Sequence, residues 1–165
     1  MNKIKYFWAT LKILGSLGVF FSVVFLALAY GWLGIHDGPG VITQSPIPKE
    51  IISQRTTKQL NSASSVGQDG AQQILFGDLH AHTTLSFDAF IGSLPMMHGE
   101  GSRPLADACD FARFCSALDF WSINDHAEAS TPRRWSETVE SIQQCNAVGG
   151  NGQNPDTVAF LGWEW

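Results

Sequence analysis

The sequence predicts an α/β fold of parallel strands joined by crossover helices, set behind an N-terminal helix long enough to cross a membrane. Three observations predict it. Residues 13–35 form an uncharged apolar run of 23. Three short apolar runs further on each end in a polar or acidic residue, as buried parallel strands do. Between them lie two stretches whose apolar residues recur at helical spacing, and β-α-β-α-β alternation implies parallel pairing.

The first element is the apolar run, preceded by Lys3, Lys5 and Lys12. At 1.5 Å per residue it can cross a hydrocarbon core of about 30 Å, with Tyr30 and Trp32 as interfacial anchors. The run is read as an uncleaved anchor, or alternatively as a secretory signal cleaved after Ala27-Leu28-Ala29. Both readings keep the lysines in the cytoplasm and send the rest of the chain across, to the cell surface side of the membrane or the periplasm, or into secretion if the signal is cut. Residues 36–72 follow, rich in Ser, Thr, Gln and Gly and broken by Gly38-Pro39, Ser45-Pro46 and Ile47-Pro48. They show no helical or alternating period and read as a flexible tether, roughly 30 to 35 Å end to end, with Ile51-Ile52 able to pack on the domain.

Residues 73–165 are the foldable remainder. Its first strand is Ile74-Leu75-Phe76, stopped by Gly77-Asp78; the second is Leu118–Ile123, ending at Asn124-Asp125; the third is Thr157–Trp163, ending at Glu164. Pro104 opens the first connecting helix, whose apolar face carries Leu105, Ala108, Cys109, Ala112 and Cys115. Thr131-Pro132 opens the second, with Trp135, Val139, Ile142 and Cys145 buried and Gly149-Gly150 at its end. Phe111, Phe114, Phe120, Trp121 and Trp163 read as core, Trp163 alternatively as a pocket wall, and Asp107, Asp110, Glu137 and Glu140 as solvated. Three strands and two helices cover only part of a parallel sheet, so the chain is expected to be the N-terminal fragment of a larger domain and inactive alone.

Charge excludes one class of function. The remainder has 4 Arg, no Lys and 12 acids, a net −8, so it lacks the basic surface that binds phosphate backbones, and no nucleic-acid partner is expected. Its chemistry is concentrated at strand ends. His80 and His82, two apart after the first strand, can present imidazoles to one metal ion. Asn124-Asp125-His126 and Glu164 follow the other two strands, and C-terminal strand ends are where α/β folds place their sites. Asp88, six residues past His82, can return as an oxygen ligand. Mixed imidazole and carboxylate ligands suit zinc, manganese or iron. Asp125 can orient a ligand from behind. Arg133 and Arg134, in the first turn of the helix after His126, can meet an anionic substrate at the helix N-terminus or simply be solvated. His36 and His98 read as loop residues.

On these residues the chain resembles the PHP (polymerase and histidinol phosphatase) metal-dependent phosphoesterase superfamily. Gly77–Thr83, Asn124-Asp125-His126 and Gly162-Trp163-Glu164 match its first three motifs, and the stretch from Leu118 to Glu128 with the Trp135 helix is similar to a related bacterial family labelled a domain of unknown function. The resemblance covers roughly residues 75–165. It implies a distorted seven-stranded β/α barrel of which this chain holds the first three β/α units. It also implies two or three divalent metals, usually about 3.5 to 4 Å apart, that activate water against a phosphate ester. His80 and His82 would bind the first metal, Glu164 would bridge metals as a catalytic residue, and Asp88 and His126 would serve the third. The superfamily often has His where Asp88 stands. Its later ligands, two histidines and an Asp-x-His, have no counterpart here. An amidohydrolase also opens with His-x-His, and a non-catalytic metal-binding module is the alternative outside enzymes.

Three cysteines in an exported domain suggest one disulfide and one leftover thiol. Cys109 and Cys115 lie about 240° apart around one helix, so Cys145 is expected to pair with one of them.

Overall fold

A computed structural model describes residues 2–29, 32–33, 38–68, 74–92, 102–150, 152 and 155–165. Tyr30, His36 and His98 lie outside the described residues. Helix α1 runs over Asn2–Ala29. It contains a segment, Lys3–Ala27, long and apolar enough to cross a membrane or to be a signal sequence. The helix starts before residue 13 because nothing in the lysine-bearing first turns breaks it, and over residues 3–23 its side chains stay exposed.

Strands β1 (Gly77–Ala81), β2 (Phe120–Ile123) and β3 (Val158–Leu161) form one parallel sheet in the order β1-β2-β3. The parallel order agrees with the sequence alternation, but β1 begins where the sequence placed the end of the first strand. Ile74-Leu75-Phe76 precedes the ladder, with Leu75 and Phe76 exposed. Gly77 is a pairing residue rather than a stop: opposite Phe120, a Cβ at position 77 would run into the Phe120 ring. Between Asp78 and Ala81 the register slips by one residue. The Asp78 carboxylate accepts the His80 N–H at 2.9 Å within this bulge, a device that re-aims side chains at a strand end.

One sheet face is covered by α4 (Leu105–Asp110), extended by a π-helical turn over Phe111–Cys115, and by α5 (Pro132–Val148). Thr131 caps α5 through its side chain, and Pro132 takes the first helical position, as the sequence reads. Trp121 and Ile123 of β2 and Ala159 of β3 pack there against Leu105, Ile142 and the disulfide that joins Cys109 to Cys145. Cys115 is exposed and free. The inner face of the first connecting helix therefore differs from the predicted one: Arg113 takes the place foreseen for Cys115, while Phe111, at 60% exposure, and Phe114 point outward. Trp163 is also exposed, and Phe120 only half-buried.

Arg113 is fully buried because every side of its guanidinium finds an acceptor. It donates to the Thr43 carbonyl at 2.8 Å, the Ser45 carbonyl at 3.1 Å and the Asp156 carboxylate at 3.1 Å. Those contacts bind part of the expected tether into the fold. Ile42 and Ile47 are buried, whereas Ile51 is exposed. Lys49–Ser65 is helix α2, a correction to the reading of 36–72 as unstructured. Pro48 and Glu50 mark its start and Gly67, at φ +77°, follows its end. It carries almost no apolar stripe, and polar contacts fix it: Arg55 donates to the Arg113 carbonyl at 2.9 Å and Gln59 to the Asp119 carboxylate at 2.9 Å. Asp110, expected to be solvated, accepts the Thr43 N–H and hydroxyl.

Candidate metal centre

Parallel strands all point their C-terminal ends to one edge, and the site forms there. β1 delivers His80 and, one residue past its end, His82. The chain beyond β2 delivers Asp125 and His126, and that beyond β3 delivers Glu164. Pairing continues past the strands, since His126 and Glu164 form an isolated parallel bridge. The Glu164 N–H donates to the Asp125 carbonyl at 3.2 Å and its carbonyl accepts the Ala127 N–H at 2.9 Å, so its backbone is held from both sides. Gly162 permits this approach, because a Cβ there would lie 2.8 Å from the Ile123 carbonyl oxygen.

Two sets of ligand atoms converge. His80, His82 and Glu164 form the first and His82, Asp88 and His126 the second, with the atoms of each set within 4.8 Å of one another. His82 Nε2 lies 3.0 Å from His80 Nε2 and 3.0 Å from Glu164 Oε2. His80 Nε2 is 3.4 Å and His126 Nε2 3.9 Å from the same Glu164 oxygen. Asp88 Oδ2 stands 3.4 Å from His126 Nε2, and Asp88 Oδ1 4.0 Å from His82 Nδ1. Among the described residues, the only cationic partners that these two carboxylates have within salt-bridge reach are the histidines themselves. Imidazole nitrogens and carboxylate oxygens that face one another in this way are a donor set that fits a divalent cation.

The supporting contacts are specific. His82 Nδ1 is 2.7 Å from Ser86 Oγ, and the same hydroxyl accepts the His126 N–H at 3.0 Å. Donation from Nδ1–H leaves Nε2 free to bind a metal, the arrangement usual for a ligating imidazole. Ser86 is fully buried and sits immediately before helix α3 (Phe87–Gly92), which carries Asp88 in its first turn. One hydroxyl thus meets two members of the second set, and the helix that follows Ser86 carries the third. The Asp125 carboxylate accepts the Thr83 N–H at 2.6 Å and the Thr83 hydroxyl at 2.7 Å. It fixes the chain just after His82 and does not itself join either ligand set. Glu128 lies 3.7 Å from His126 Nδ1. Sequence reasoning missed Ser86, Thr83 and Glu128 as site residues; a serine four residues after the second histidine was the available signal.

The two arginines proposed for substrate are both engaged by protein acceptors. Arg133 is fully exposed and donates to Glu137 at 2.8 Å, which raises its pKa. Arg134 is buried and donates to the Ala129 carbonyl at 2.9 Å. Burial lowers its pKa, opposed by the nearby charges of Glu137 and Asp125. It lines a small cavity behind the site with Asp125 and His126. Trp163 stacks edge-on against Trp135 at 5.6 Å, beside Glu164.

No curated protein and no solved structure matches this chain. One family model, described as a protein of unknown function (DUF3604), matches residues 69–148, just under half of the chain, and that stretch holds His80, His82, Asp88, Asp125 and His126 while Glu164 lies beyond it; the chain is similar to that family over this part.

Proposed function

We propose that this chain carries the metal-ligating strand ends of a metal-dependent hydrolase of PHP type, a phosphoesterase whose complete fold is the β/α barrel of that superfamily. One observation carries the reading: five side chains from three parallel strand ends and one following helix bring their ligand atoms together in two sets that share His82. In this reading His80, His82 and Glu164 hold one divalent ion, and His82, Asp88 and His126 hold a second, with zinc, manganese or iron the suitable ions. A bound ion of this kind polarises a phosphoryl oxygen and lowers the pKa of water toward neutrality. The chain's own part is to orient. Ser86 sets the His82 tautomer, Asp125 holds the turn after His82 through Thr83, and the paired backbone on either side of Glu164 aims its carboxylate. Cations bound here also reverse the field of an acidic domain, which admits an anionic ester. The domain acts outside the cytoplasm, held by α1.

Titration with manganese, followed by the EPR signal of the free ion, tests the metal centre. Wild type is expected to bind, His82→Ala to lose at least about tenfold in affinity, and His126→Ala to lose one class of site. Equal binding by all three proteins overturns the reading. Metal-dependent phosphate release by the full gene product, lost in Glu164→Gln, separates an enzyme from a metal-binding module, which would bind without turnover.

A further inference from the structure

The ligand candidates are not only at a strand edge; they are next to α1. A cleft of about 420 Å³ lies between them, within the ordinary range for small-molecule sites. Its lining is of two kinds. Phe25, Leu26 and Phe87 are apolar, and the Phe25 and Phe87 rings meet edge-on at 4.9 Å. Asp88, His126 and Glu128 are acidic or ligating, and Asp88 adjoins Phe87 in the chain. Phe25 and Leu26 fall in the last turn of Lys3–Ala27, the segment able to cross a bilayer. With that segment in a bilayer, a cleft walled by its end opens at the level of the interface.

Resting on the metal-hydrolase reading, we infer that the substrate is a membrane lipid carrying a phosphate monoester, its phosphate at the ligand sets and its apolar chain in the cleft beside Phe25 and Phe87. Hydrolysis adds water across the P–O ester bond, releasing inorganic phosphate to solution and leaving the lipid alcohol in the bilayer. The apolar wall holds the chain, and the metals hold the head.

The test uses the full chain in phosphatidylcholine nanodiscs, with manganese affinity as the readout, because a phosphate that binds the ion raises the protein's affinity for it by linkage. Discs doped with phosphatidic acid are compared with plain discs given soluble glycerol phosphate, and protein-free doped discs correct for manganese held by the lipid. Phosphatidic acid is expected to tighten manganese binding about tenfold where glycerol phosphate does not. The double variant Phe25→Ser, Phe87→Ser should keep wild-type affinity in plain discs, which shows it folded, and lose the lipid response. An equal response to glycerol phosphate, or an undiminished lipid response in that variant, overturns the lipid inference while leaving the metal centre standing. No manganese binding in any disc overturns the metal reading and the inference with it.

Discussion

Ser86 is the residue on which the second ligand set depends, since its one hydroxyl meets His82 Nδ1 and the His126 backbone. Replacing it with alanine removes the hydroxyl that faces His82 Nδ1 at 2.7 Å and, in the proposed centre, fixes the tautomer of that ring. Ser86→Ala is expected to weaken manganese or zinc binding by about 10- to 100-fold, measured by competition with a chelating dye, and to cost about 1 to 3 kcal/mol of stability through the unpaired His126 N–H. Unchanged affinity would reduce Ser86 to a turn residue. The histidines and Glu164 were legible in the sequence because a parallel sheet puts every C-terminal strand end on one edge, whatever else the chain does. Ser86 was not, because its role rests on a partner 40 residues away. Arg134 misled for the opposite reason: its place in a first helical turn suggests solvent, yet its guanidinium turns inward to the Ala129 carbonyl.

The elements around the site are held by a few contacts whose removal has calculable effects. The Cys109–Cys145 disulfide joins α4 to α5 across a sequence separation of 36. On a chain-entropy account, loss of both sulfurs in Cys109→Ser, Cys145→Ser costs roughly 3 to 4 kcal/mol, read as a lower urea midpoint, while Cys115→Ser should leave it unmoved. Arg113→Ala strips the arm at Thr43 and Ser45 of its donor and leaves Asp156 buried without its cation. A loss of about 3 to 5 kcal/mol is expected in the same urea experiment. The order of strands and helices was readable from alternation. The rotation of the helix at 105–115 was not, because apolar periodicity is silent about a buried arginine that donates to two carbonyls of the 43–45 arm and to the Asp156 carboxylate. Helix α2 was invisible for a related reason, since Arg55 and Gln59 dock it by hydrogen bonds rather than by an apolar stripe. β1 was displaced in the reading because glycine at 77 serves the Phe120 ring and not a turn.

At the scale of the molecule, the side of the membrane on which the domain stands is the proposal most directly open to test. Cys115 is free and exposed while the other two cysteines are bonded, so the chain carries a single thiol reporter. A membrane-impermeant maleimide is expected to label intact cells through Cys115, with no labelling in Cys115→Ser. Labelling only after permeabilisation would put the domain in the cytoplasm. A charge of −8 on residues 73–165 also keeps that domain from adhering to an anionic leaflet by charge.

The docked arm changes how far such a domain can roam. A free linker of 37 residues over 36–72 would let an anchored domain stand off the membrane by about twice its own radius. Ile42, Thr43 and Ser45 are instead held against the helix at 105–115 and its Arg113, and Pro39 already accepts the Ala106 N–H at 2.9 Å. Only eight residues separate Ala29 from Gly38, a contour of at most about 32 Å. If α1 remains in the bilayer, the leash is shorter than a small protein is wide. The domain then searches a plane rather than a volume, and its encounters scale with how many target molecules lie per unit area of membrane rather than per litre of the fluid beyond it.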